Sequence, residues 1–228
     1  MLLLVTDTSG KHGSVALVRA GESAEINAVQ VIEEVPLAGG TFSAQLVPQI
    51  AALLAKHKFN KADLDAFIVV SGPGSFTGLR VGLAAIKALA EILHRPIVPV
   101  SLLEVIALAS RREGKVMAAL DAGRGEVYAG EYEIAAQSAQ VCGERLLALD
   151  EFLSQANGSV IATTVATLAE VARLAGIPVE MIDGLTAEKI ALLGWKKLQA
   201  GETVTPEGLE ANYIRRTDAE IFAKPGSS

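Results

Sequence analysis

The sequence predicts an α/β protein of two lobes built on related plans. Three observations carry this. The first part of the chain reads as strand, strand, strand, helix, strand, helix, strand. A strand, turn, strand pattern then starts again in "KVMAALDAGRGEVYAGEYEI" (Lys115 to Ile134), much like "LLLVTDTSGKHGSVALV" at the N-terminus. Asp7 and Asp121 hold the same place before the two turns, as an internal duplication would leave them.

Each element has its own reason. Leu2 to Asp7, Ser14 to Val18 and Glu25 to Glu34 are rich in Val, Leu and Ile and are separated by glycine-containing turns, so they form a meander. Ser43 to Lys58 is a helix because Leu46, Val47, Ile50, Leu53 and Leu54 recur at three- and four-residue spacing, with Ser43 as N-cap and Pro48 bending the early turns. Ala66 to Val70 is a buried strand, a helix follows Thr77, and "PIVPV" (Pro96 to Val100) is a short strand. Leu102 to Arg111 is helical. Further on, a strand at Val160 to Thr163 and helices at Val165 to Ala175 and Ala187 to Ala200 are expected, with "GIPVEMIDG" between them. The lobes are expected at 1–101 and, in reduced form, at 102–211. Residues 212–228 are expected to return to the first lobe and end in a disordered tail.

With 228 residues, half of them hydrophobic, the chain has ample material for a buried core. No stretch of about 18 residues is free of charged or strongly polar side chains, as a spanning helix requires. "MLLLVTD" lacks the basic flank of a secretory signal, and the lone Cys142 excludes an internal disulfide. A cytoplasmic protein is expected. The net charge of -6 argues against an independent nucleic-acid binder. Residues 1–101 carry 8 Lys/Arg against 8 Asp/Glu, whereas residues 102–228 carry 12 against 18, so the neutral first half is freer to pack on another chain.

The stretch "SGPGSFTGLRVG" looks like a phosphate-binding turn but has the wrong spacing. From Gly72 the sixth place is Thr77, not glycine, and Gly74 to Gly78 lacks both the spacing and the Lys-Ser/Thr ending of a P-loop. Ser75 lacks the G-x-S-x-G context of a nucleophile. His12, His57 and His94 are isolated, with no metal-ligand spacing. "DTS" at Asp7, Thr8 and Ser9, and "DAG" at Asp121, are similar to the phosphate-contacting hairpins of actin-like ATPases.

Together, "LLLVTDTSGKHGSVAL", "VVSGPGSFTGLRVGLAAIKALA", "ALDAGRGEVYAGEY" and "NYIRR" resemble the bacterial TsaB (YeaZ) family. The resemblance implies a two-lobed actin-like ATPase, ribonuclease H-like fold. It also implies a non-catalytic partner of the paralogue TsaD, which with the ATPase TsaE completes threonylcarbamoyladenosine beside the anticodon of tRNA. ATP and metal are then expected on the partner subunits, none in this chain, and tRNA contact only through the complex; a homodimer is open when the chain is isolated. The paralogue's H-x-x-x-H metal site falls, without gaps, on Leu102 and Ile106, which cannot ligate a metal. Glu104 remains, with no partner apparent in the sequence. The helix start "TFSAQLVPQ" departs from the family in lacking a histidine or basic residue.

Asp7, Thr8, Ser9 and Asp121 are therefore read as vestigial turns of a nucleotide cleft. The partner interface is expected on the glycine-rich helix, along Gly78, Gly82, Ala85 and Leu89, extended by Leu46, Ile50 and Leu53 of the preceding helix. Small residues there would let a second helix axis approach to about 8 Å. An actin-like ATPase or phosphotransferase using Asp7, Thr8 and Asp121 is the rival reading, and a glycoprotease-type metallopeptidase, without its ligands, stands behind it.

Overall fold

The computed structural model describes residues 1–21, 28–136 and 138–214. The first sheet holds β1 (Leu2–Asp7), β2 (His12–Ala20), β3 (Val29–Ala38), β4 (Ala66–Gly72) and β5 (Ile97–Ser101), in the order β3-β2-β1-β4-β5. β1 to β3 form an antiparallel meander, while β1, β4 and β5 are parallel. The helix α1 (Phe42–Lys56) leads into β4, and α2 (Phe76–Leu93) crosses from β4 to β5, the kind of connection that parallel neighbours require.

After α3 (Leu102–Ala109) the plan repeats. The second sheet holds β6 (Gly114–Gly123), β7 (Glu126–Ala135), β8 (Ser138–Ala148), β9 (Val160–Thr163) and β10 (Val179–Met181), with α4 (Leu149–Gln155), α5 (Ala166–Leu174) and finally α6 (Ala187–Gln199) between or after them. Its order, β8-β7-β6-β9-β10, and its strand directions match those of the first sheet position for position. The duplication seen in two short turns thus extends to the whole topology, and the α/β fold has the two lobes expected.

Burial explains the helices. Leu46, Ile50, Leu53 and Leu54 of α1 pack with Leu83, Ile86 and Ala90 of α2 on one face of the first sheet. On its other face lie Ile190, Ala191, Leu193 and Trp195 of α6. The second sheet covers one face with Phe152, Leu168 and Ala172 from α4 and α5. Helix α3, "LLEVIALA", is apolar nearly all round because both lobes use it: Leu102 and Val105 join the first-lobe core, and Leu103, Ile106 and Ala107 the second.

Several expectations need correction. The second lobe was expected to run from 102 to 211, yet α6 packs on the first sheet so closely that a Cβ on Gly194 would lie 2.5 Å from Ile68. The chain stays there: Ile97 and Val204 form a bridge, and Leu209 is buried with the α1 and α2 core. Residues 212–214 were expected to return to the first lobe, but they bridge the two: Asn212 bonds to Ser71 of the first sheet and Tyr213 to Arg80 of α2, whereas Ile214 packs against the second-lobe core. The expected disordered tail lies outside the described residues. The third strand, expected at Glu25 to Glu34, has its described part at Val29–Ala38, and residues 25–27 lie outside the description. Pro36 is tolerated because β3 is an edge strand. Helix α1 starts at Phe42, with Thr41 and not Ser43 at the N-cap position, since burying the Phe42 ring sets the start. Strand β8 was missed because it is an edge strand that buries only Leu147, so its sequence has no apolar pattern to read.

Candidate functional site

The lobes face each other across a cleft of about 970 Å³. The first lobe lines it with the turn after β1, the loop before α1 and the glycine-rich turn into α2; the second contributes Asp121, Arg124 and Tyr128. Asn212, Tyr213 and Ile214 complete the wall.

The glycines of "GPGSFTGLRVG" have partners within the chain. A Cβ on Gly74 would lie 2.4 Å from the Ser9 carbonyl oxygen, one on Gly78 2.1 Å from that of Thr8, and one on Gly82 2.2 Å from Thr8 Oγ1. Gly72 combines a φ of +140° with a Cβ position 2.7 Å from the Asn212 carbonyl oxygen. The Ser75 amide donates to the Ser9 carbonyl at 2.6 Å, and Ser75 Oγ accepts from the Gly78 amide at 3.3 Å, capping α2. The turn into α2 is a saddle for the turn after β1, and the missing side chains make room for Thr8 and Ser9.

This overturns the expected composition of the interface. Gly78 and Gly82 are buried under Thr8, while Leu46, Ile50 and Leu53 are buried against the sheet. Ala85 and Leu89 are half-buried at the edge of the same core. The stripe with the largest side chains faces the sheet because that is where most apolar area can leave water. What the two helices leave outside is a second stripe. On α1 it consists of Ala44, Val47, Pro48, Ala51, Ala52 and Ala55, with no charge before Lys56; on α2 it runs through Ala84, Ala88 and Ile92. Val47 is 53% exposed and Ile92 65%.

The paired aspartates shape turns. Asp7 Oδ1 accepts from the Ser9 amide at 2.8 Å and from Ser9 Oγ at 2.6 Å; Asp121 Oδ1 accepts from the Gly123 amide at 2.7 Å. Both are the same turn, closed two residues on, in the two lobes. Ser9 and Asp121 line the cleft, but the half-buried Asp7 and the buried Thr8 do not. Burial pushes the Asp7 carboxyl up, against the lowering effect of its bonds to Ser9. A carboxyl raised in the folded state holds more protons folded than unfolded. Its contribution is therefore fully present below the ordinary value of 3.8 and is lost as pH rises through the folded-state value. Asp7→Asn keeps an acceptor oxygen without that charge, so denaturant unfolding should show the variant gaining on the parent as pH rises from acid towards neutral. A difference between the two proteins that does not change with pH would rule this out.

Between the lobes lies a polar seam. Leu102 and Ile106, on which the resemblance places the paralogue's metal ligands, are buried in the two cores on either side of α3. Glu104, expected to stand alone, pairs with Lys197 Nζ of α6 at 2.9 Å. Burial pushes its carboxyl up, and Lys197 offsets only part of that. Among the described residues no three His, Cys, Asp or Glu side chains gather as a metal site would need. Nearby, Glu144 of β8 accepts from Ser101 Oγ, the Tyr132 hydroxyl and Asn212 Nδ2. Arg80 lies over the Phe76 ring at 3.7 Å and donates from Nε to the Tyr213 hydroxyl at 3.1 Å. Sequence reasoning missed Glu144, Lys197 and Asn212. The only signal was "NYIRR", whose first two residues are Asn212 and Tyr213.

Residues 36–221 match the family described as TsaD, tRNA N6-adenosine threonylcarbamoyltransferase. The chain is 37% identical over 131 residues to the tRNA threonylcarbamoyladenosine biosynthesis protein TsaB of Haemophilus influenzae, covering 56% of this chain and 52% of that protein. The protein of the same description from Bacillus subtilis is 34% identical over 134 residues, 58% of this chain and 56% of its own length. The chain thus spans about half the length of the curated relatives it matches. Among solved structures, YeaZ from Pseudomonas aeruginosa is similar with a TM-score of 0.71 and 26% identity, over 92% of this chain and 100% of the other.

Proposed function

This chain belongs to the family described as TsaD, tRNA N6-adenosine threonylcarbamoyltransferase, in its TsaB (YeaZ) branch, and we propose that it serves threonylcarbamoyladenosine biosynthesis as a non-catalytic partner of a TsaD transferase subunit. The observation that carries the partner role is the outer stripe of α1 and α2, two neighbouring helices that offer alanine, valine, proline and isoleucine to the outside with few charges. A contiguous apolar patch of that kind marks a protein contact. The aliphatic pair Leu102 and Ile106 supports the non-catalytic part, because the paralogue's ligand positions here serve the core.

On this reading ATP and metal belong to the partner subunits, TsaE joins the assembled pair, and tRNA is met only by the complex, in the cytoplasm. Without TsaD, the same face can meet its own copy about a two-fold axis, since an isologous contact needs only one self-complementary patch. Asp7 and Asp121 act as turn formers, so Asp7→Asn and Asp121→Asn should leave the activity of the complex within a few-fold of the parent.

Reconstitution tests the proposal. Purified chain, tRNA, ATP and threonylcarbamoyl-adenylate synthase should give no modified tRNA until the TsaD paralogue is added, and tagged chain should draw that paralogue from its source cell in stoichiometric amount. Modification by this chain without the paralogue would return the enzyme reading.

A further inference from the structure

The apolar contacts through α3 join the lobes without direction, whereas one carboxylate joins them with it. Glu144 projects from β8 of the second lobe, half-buried. Its Oε1 accepts from Ser101 Oγ, at the end of β5 in the first lobe, at 2.5 Å, and from the Tyr132 hydroxyl of the adjacent β7. Its Oε2 accepts from Asn212 Nδ2 at 2.5 Å. Three donors from three segments on one carboxylate make a charge-assisted junction with fixed geometry.

Asn212 is in turn anchored to the first lobe. Its amide donates to the Ser71 carbonyl at 2.8 Å, and its own carbonyl rests where Gly72 has no side chain. The next residue reaches α2: the Tyr213 ring centre lies 5.1 Å from that of Phe76, and its hydroxyl accepts from Arg80. A continuous path therefore runs from β8 through Glu144, Asn212 and Tyr213 to the first turn of α2. Because residues 212–214 also form a wall of the cleft, any change in the angle between the lobes must pull on that path.

We propose that Glu144 and Asn212 form an interlobe clasp, which holds residues 212–214 as a strap across the cleft and couples the position of the second lobe to the start of α2. The clasp stands independently of what docks on α2, and it makes the strap the route by which an event in the cleft reaches that helix. Such coupling needs a contiguous element that both ends bias.

Hydrogen–deuterium exchange on the full chain, with Glu144→Leu and Asn212→Ala, tests it. Both variants should raise exchange about tenfold in peptides covering 209–214 and 74–81, the loss expected for a charge-assisted bond, while β1 keeps its protection. The double variant should go no further than the stronger single one, because each single change already opens the clasp. Exchange that rises only in β8 for Glu144→Leu, or additive effects in the double variant, would overturn the proposal. Should Glu144→Leu fail to fold, Asn212→Ala decides alone: it must raise exchange in β8 around 143–146 as well as at 74–81, and an unchanged β8 overturns the clasp.

Discussion

Gly78→Ala should lower the folding free energy by about 3 kcal/mol, the upper range for overpacking a closed site. The new Cβ would lie 2.1 Å from the Thr8 carbonyl oxygen, a backbone atom that cannot rotate away. Thr8 itself is 2% exposed, and its neighbour Ser9 is tied to Asp7 and to the Ser75 amide, so the turn has nowhere to retreat. Gly82→Ala should cost less, about 1 to 2 kcal/mol, because its nearest obstacle is the Thr8 side-chain oxygen at 2.2 Å. Thr8→Ala then separates the two sites. Adding it should relieve most of the Gly82→Ala loss and little of the Gly78→Ala loss, in urea unfolding of all five proteins and the parent. If Gly78→Ala unfolds at the parent's midpoint, the saddle for the β1 turn is looser than these distances require. Gly82→Arg, by the same geometry, would damage the lobe itself and says nothing about a partner.

Charges placed on the outer stripe should act the other way, leaving the fold alone and removing the partner. Ala51→Glu on α1 and Ala88→Glu on α2 are exposed in the isolated chain, so each should change its stability by less than about 0.5 kcal/mol. In the complex each carboxylate would be buried. Neither has a cation one turn away: Ala51 is flanked by Val47, Pro48, Leu54 and Ala55, and Ala88 by Ala84, Ala85, Glu91 and Ile92. An unpaired buried charge costs several kcal/mol, so association with the TsaD paralogue should weaken by about 100-fold or more. Light scattering behind a sizing column, with circular dichroism as the folding control, reads both effects. An unchanged complex mass for both variants would place the partner elsewhere on the molecule.

How much was legible follows from where each signal resides. Helices α1, α2 and α6 each bury one continuous stripe against a sheet, and burial writes itself into residue spacing, while the first β-strand shows as an unbroken apolar run because both its faces are covered. Strand β8 has no such stripe. An edge strand with one buried residue leaves nothing periodic, so its place came only from pairing with β7. The polar seam was illegible for another reason: Glu144 and Asn212 are 68 residues apart, and a lone Glu and a lone Asn in sequence carry no mark of each other.

By itself the sequence determined the α/β class, the repeated strand, turn, strand plan marked by Asp7 and Asp121, the family, and the two helices that carry the apolar surface. Only the tertiary structure decided which side of those helices is surface. Periodicity tells which residues share a face, but not what covers it. The leucines of α1 and the glycines of α2 read equally well as an interface for another chain or as a fit to their own. The sheet below α1 and the Thr8 turn beside α2 settled the matter, since both lie within van der Waals reach and leave no room for a second occupant. The alanines behind them, weak in pattern because their side chains are small, became the outer face for the same reason.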